Sequence, residues 1–394
     1  MMRTLGKWLG RLLILAVLAL VAFLWFGPGI ADKMMNPVED LGPYTVSDNA
    51  RTLHNDLIVG DWHADTMLWT RDINKRYDRG HVDLPRLIEG GVGLQVFTAV
   101  TKSPSGLNYD SNSAESWDDI TTLSVAQMWP PRTWTSLLER AIYQAEKLHE
   151  AEADSDGRLR IIRTAADLDA VLEARANGDM VVGGMLGIEG AHPLELKLEN
   201  LDKLEEAGHR VIGLQHFFDN GLGGSLHGLS GAGLTDFGRE VVAAIGERNL
   251  VLDLAHSSPQ VARDVIEITD MPLIVSHTGL HSHCPVKRNF EDDLMIAIAQ
   301  TGGVIGMGYW DEVVCGDVTP AGIAAMIKAS IEVLGEDHVS LGSDYDGTVR
   351  TGFDTAGLPA LTSALMDAGL SEAQIRKVMG ENMVRVLRER LGAT

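Results

Sequence analysis

Eight short apolar runs recur between Leu57 and Asp344, and most of them are followed by a stretch with helical spacing. The runs are Leu57–Val59, Val92–Val100, Val181–Glu189, Val211–His216, Leu250–His256, Pro272–His277, Gly303–Gly308 and Val339–Asp344. Runs that are apolar throughout, rather than alternating, read as strands buried on both faces of a parallel sheet. Amphipathic stretches stand between them at Trp134–Ala153, Leu201–Ala207, Gly238–Arg248, Gln260–Ile268, Asp292–Thr301 and Pro320–Leu334. Eight βα units of this length predict a closed (β/α)8 barrel, and an open doubly wound sheet is the alternative. A capping box at Ser371 and Gln374 opens a last helix expected to reach about Leu391.

A barrel of this kind places its site where the C-terminal strand ends converge. At those ends stand His63 and Asp65 on the first run, Glu189 on the third, His216 on the fourth, His256 on the fifth, His277 on the sixth and Asp344 on the eighth. A single histidine at a strand end is more often a hydrogen-bonded structural residue than a ligand. Seven such groups on one rim are hard to explain as packing. His63 and Asp65 are two residues apart, so an extended backbone turns both to the same side. His63, Asp65 and Glu189 can serve one metal, and Glu189, His256 and His277 a second if Glu189 bridges. Each metal then has three protein ligands and the pair shares one water or hydroxide, a recurrent hydrolytic arrangement. Asp344 is left to act as acid and base, and His216 to hydrogen-bond a developing oxyanion. Asp346 shares the strand parity of Asp344 and is the alternative proton carrier.

From Thr101 to Thr133 the chain turns irregular, with Pro104, Gly106, Pro130 and Pro131. A connection of that length is either a substrate-covering loop or a plain surface excursion. A formal net charge of -22 argues against nucleic acid, since no basic stripe is present to displace counterions from phosphates. Cys284 and Cys315, the two cysteines, follow the sixth and seventh strands into neighbouring loops, where one disulfide is expected in an oxidising compartment, against two unpaired thiols.

Three units follow. Residues 1–33 hold a basic start (Arg3, Lys7, Arg11) and an apolar segment, 34–52 a linker with Pro37 and Pro43, and 53–394 the barrel. The twenty residues from Leu12 to Ala31 just span a bilayer, and the charge distribution puts the start of the chain in the cytoplasm. A signal peptide cut after Ala31 is the alternative.

Read together and in order, DWHAD, VDLPRLIEGG, GIEGAHPL, HFFDNGLGGSLHG, LVLDLAHSS, IVSHTG, KRNFEDD and LGSDYDG resemble the membrane (renal-type) dipeptidases, binuclear zinc hydrolases of the amidohydrolase barrels. The resemblance covers most of Leu57 to Leu391. It implies two zinc ions bound by His63, Asp65, the bridging Glu189, His256 and His277. It also implies a substrate-binding His216, a carboxylate-binding Arg288 and an acid–base Asp344, acting on dipeptides. For Arg288 the ordinary alternative is pairing with Glu291, Asp292 or Asp293. Hydrolysis of lactams or N-acyl amino acids is the nearest other activity. Anchoring departs from the family's animal members, which resemble proteins with a C-terminal lipid anchor. The N-terminal segment resembles a bacterial arrangement, which implies the inner membrane with the barrel on the periplasmic side. A homodimer is a further expectation.

Overall fold

A computed structural model describes residues 2–392. Nine parallel strands form one sheet: β1 (Val59–Ala64), β2 (Val92–Val100), β3 (Leu159–Ile161), β4 (Val182–Glu189), β5 (His209–Gly213), β6 (Val251–Asp253), β7 (Ile274–Thr278), β8 (Val304–Met307) and β9 (Val339–Leu341). Their order is β2-β1-β9-β8-β7-β6-β5-β4-β3, and a further β2–β4 pairing closes eight of them into a barrel. The predicted (β/α)8 architecture is therefore the observed one. β3 is the addition: its three residues pair with Val182–Gly184, below the point where β5 joins β4 at Leu186. Its sequence, LRI, is too short to stand out as a strand.

All eight barrel strands are buried along nearly their whole length, in keeping with unbroken apolar runs covered on both faces. The helices that cover them begin at side-chain caps. Ser136, Thr235, Ser258 and Thr319 each accept a bond from the backbone N–H three residues on, satisfying one orphan donor of the first turn. The last predicted helix begins at its capping box but is not continuous. It runs Glu372–Arg376, widens to a π-turn at Lys377–Glu381, and resumes as Asn382–Leu391. The cause is close approach, since a Cβ on Gly380 would lie 2.1 Å from the Ile58 carbonyl oxygen.

α1 (Met2–Met35) carries the apolar segment, and α2 (Asp48–Asn55) occupies part of the stretch read as linker. α3 (Leu84–Glu89) joins β1 to β2, and α4 (Asp119–Ala126) lies inside the irregular excursion. Arg140, buried, fastens that excursion from below: it donates to the Thr101 carbonyl at 2.6 Å, the Thr133 carbonyl at 2.7 Å and the Thr121 hydroxyl at 2.7 Å. The loops after β7 and β8 are joined by a Cys284–Cys315 disulfide, as expected from their placement.

Candidate active site

β1, β4, β6, β7 and β9 deliver their terminal side chains to one end of the barrel, and Glu189 stands at the centre. Its Oε1 lies 3.1 Å from His256 Nε2 and 3.5 Å from the Nε2 atoms of both His63 and His277. Its Oε2 lies 3.2 Å from His216 Nε2. His63 Nε2 is 3.5 Å from Asp65 Oδ1 and 3.8 Å from Asp344 Oδ1. Three sets of donors fall within 4.8 Å of one another: His63, Glu189 and His277; Glu189, His216 and His256; His63, Asp65 and Asp344. All seven strand-end groups thus come together, all of them buried.

The electrostatics of this cluster call for a cation. Burial raises the pKa of Glu189 well above the usual carboxylate range, and the neighbouring charge of Asp65 adds to it. Burial and Asp65 likewise push Asp344 up to about 7, against the opposing charge of His63. Burial disfavours a charge on His63, yet Glu189, Asp65 and Asp344 outweigh it and raise that imidazole to about 10. His256 and His277 go the other way, driven well below the ordinary histidine value by burial, with Arg288 reinforcing it. Their Nε2 atoms face each other at 3.0 Å. Crowded carboxylates beside neutral imidazoles are a donor set suited to hard and borderline divalent metals, and the residues fit zinc.

A supporting shell orients these candidate ligands. Ser276 Oγ sits 2.8 Å from His277 Nδ1 and 3.4 Å from His63 Nδ1, so one hydroxyl serves two imidazoles. Room for that backbone comes from Gly306 and Gly342, where a Cβ would meet the Ser276 carbonyl oxygen at 2.1 and 1.8 Å. Thr98 donates to Asp65 Oδ1 at 2.6 Å. Asp61 accepts from the His63 and Ser343 backbone, and Asp253 from Ala255 and Ser276, holding strand ends together where the ladders break. Sequence reading missed Asp61, Asp253, Thr98 and Ser276. The available signal, for the two aspartates alone, was a carboxylate two residues before His63 and three before His256. His256 and Asp344 both hold left-handed backbone, at φ 63° and 59°, the kind of strain that collects at functional positions.

Asp346, the alternative proton carrier, is committed elsewhere. It pairs with Arg71 at 2.7 Å and accepts from Thr66 Oγ1 at 2.8 Å and the His81 N–H at 2.6 Å. Burial opposes its charge, but Arg71 and His81 outweigh it and hold the carboxyl well below its usual range.

Arg288 is buried and donates to the His277 carbonyl at 2.7 Å, with its guanidinium 5.4 Å from the Trp310 ring. Among the described residues it forms no ion pair with Glu291, Asp292 or Asp293, and its Nε–H has no partner. His216 turns Nδ1 to the Lys102 carbonyl at 3.2 Å, and burial lowers its pKa to about 4.

A cavity of 510 Å³ opens over the centre, lined by Asp65, Glu189, His216 and Asp344. The Thr101–Thr133 excursion supplies Leu107, Tyr109, Ile120 and Leu123 to its walls. Tyr109 is pinned there, its carbonyl bonded to His227 Nδ1 at 2.7 Å and its hydroxyl accepting from Trp310 Nε1 at 3.1 Å.

The family model described as membrane dipeptidase (peptidase family M19) matches residues 47–392. The dipeptidase tcpJ of Claviceps purpurea is 26% identical over 318 residues, 79% of this chain and 69% of that protein. A solved structure described as the dipeptidase AC, a metallopeptidase of family M19, superposes with a TM-score of 0.69 at 27% identity, covering 86% of this chain and 99% of its own. A metallopeptidase from Rhodobacter sphaeroides, solved with a phosphinate mimic of the dipeptide L-Ala-D-Ala, gives a TM-score of 0.68 at 28% identity, covering 85% of this chain and 99% of its own.

Proposed function

This chain belongs to the membrane dipeptidase family of metallopeptidases, and from that premise we propose how its own residues carry out the hydrolysis of a dipeptide. One observation carries the reading: Glu189 Oε1 lies within 3.5 Å of three imidazole Nε2 atoms delivered by three different strands. We assign His63, Asp65 and Glu189 to one zinc ion, and Glu189, His256 and His277 to a second. Bound zinc supplies Lewis acidity at the scissile carbonyl and lowers the pKa of water held beside it to about 7.

The chain's remaining groups position the substrate and move protons. Asp344 accepts the proton of the attacking water and returns it to the leaving nitrogen. Its crowded surroundings weaken its hold on charge enough for both halves of that task. Arg288 holds the substrate's C-terminal carboxylate, and its unpartnered Nε–H is free for that bond. His216 stabilises the oxyanion. With Nδ1 turned to the Lys102 carbonyl, its Nε2 faces the centre, 3.2 Å from Glu189 Oε2, where the oxyanion forms. His216→Ala then lowers kcat while zinc content stays unchanged. Loss of zinc in that variant would make His216 a ligand and reverse the assignment.

α1 anchors the barrel to the inner membrane through the turns before Phe23, with its last turns docked on the barrel and the catalytic end on the periplasmic side. Its apolar run, the basic residues before it and the disulfide support this placement. The function is tested with a dipeptide and its C-terminal amide. The free acid is cleaved, and the amide, lacking the group held by Arg288, is a poor substrate. Equal cleavage of both would remove the anchoring role and the restriction to two residues.

A further inference from the structure

The cavity over the centre has a wall that the barrel does not supply. Phe23, Gly27, Pro28, Ala31 and Met35 of α1 line it together with Glu189, His216 and Asp344. α1 precedes the residues matched by the family, which begin at 47, and the solved relatives are covered to 99% while leaving about 14% of this chain unmatched. This wall is therefore a contribution of the present chain.

It is fastened to the catalytic loop. Asp32, buried at 1% exposure, pairs with Arg71 at 3.0 Å and Arg79 at 3.1 Å, and Arg71 pairs in turn with Asp346. Asn36 Oδ1 accepts the Thr348 N–H at 2.9 Å. Asp344, Asp346 and Thr348 all hold left-handed backbone, so the end of α1 braces the strained turn that carries Asp344. Trp69, Ile120 and Phe217 add further apolar lining to the cavity. Arg288 is not among its lining residues. With the carboxylate taken at Arg288 on the reading above, this apolar space is what remains beside Glu189 and Asp344 for the amino-terminal residue.

We propose that the C-terminal turns of α1 form the subsite for the substrate's amino-terminal side chain, and that they select bulky apolar residues there. This rests on the dipeptidase reading given above. A 510 Å³ cavity leaves ample room beside a glycyl residue, and its apolar walls reward filling.

The test uses the full chain in detergent, with a phenylalanyl and a glycyl dipeptide that share their second residue. The wild type favours the phenylalanyl substrate in kcat/KM. Ala31→Trp, which fills the space, and Met35→Asp, which charges the wall, each lower that preference by about tenfold or more. Trp25→Ala, on the exposed face of the same helix, leaves it in place. A preference unmoved in both wall variants overturns the proposal. Calorimetric binding of phosphinate analogues of the two dipeptides gives the same ratio without turnover. A wild type that cleaves no dipeptide defeats the dipeptidase reading, and the binding ratio then decides the wall alone. Equal affinities in the wild type, or a ratio unchanged by Ala31→Trp, overturn it.

Discussion

Asp344 and Asp346 stand two residues apart on the same left-handed turn, and their surroundings send them opposite ways. Burial among carboxylates lifts Asp344, whereas Arg71 and His81 overcome burial and depress Asp346. Asp344→Asn is expected to lower kcat by roughly 10²–10⁴ with zinc content retained, measured by turnover and metal analysis of one sample. Loss of zinc would make Asp344 a ligand. Asp346→Asn removes one of the two carboxylates paired with Arg71 and weakens the bonds accepted from Thr66 and the His81 N–H, and should cost roughly 1.5–3 kcal/mol of stability at neutral pH. The sign of its pH dependence follows from the depressed folded-state pKa. The stabilisation is present above the unfolded value of about 3.9 and is lost as pH falls toward the folded one, so wild type and variant converge in acid. Denaturation at pH 7 and pH 3 checks this, and a constant difference would contradict it. The sequence could not separate these two aspartates by parity, because what divides them is Arg71, which is distant in the chain.

At the scale of elements, the buried strands were legible because each is an apolar run long enough to register. β3 and α4 were not. β3 is three residues with a charged centre, and α4 sits among prolines and asparagines whose order comes from Arg140 and Tyr109. That the seven strand-end groups would gather at one centre was legible from position alone. The carboxylates and hydroxyls behind them were not, since Asp253 and Ser276 acquire meaning only when β6 and β7 lie side by side. The disulfide ties the loops after β7 and β8 across 31 residues. Loop-closure entropy assigns a link of that length roughly 3–4 kcal/mol. Unreduced, denatured protein should show no reactive thiol, and reduction should lower the unfolding midpoint. Two thiols titrating without reductant would contradict the bond.

The whole molecule is a family barrel with an added helix bound across its catalytic mouth. The apolar character of α1 was plain in the sequence, but its docking was not, because Asp32 and Asn36 read only as the polar end of a membrane segment. Their partners, Arg71, Arg79 and the Thr348 backbone, lie far along the chain. A cut after Ala31 would remove most of the α1 wall. The anchored reading therefore predicts that protein recovered from membranes keeps residues before Asp32, by intact mass, and a chain beginning at Asp32 would contradict it. Hydrolysis at this centre depends on one carboxylate, Glu189, shared between two metals. Zinc per chain and dipeptide turnover, measured on the same samples of wild type and Glu189→Gln, test it directly. The active wild type is expected to hold about two zinc ions, and the variant to bind both poorly and lose turnover. Full activity in protein that holds one metal or none would contradict it.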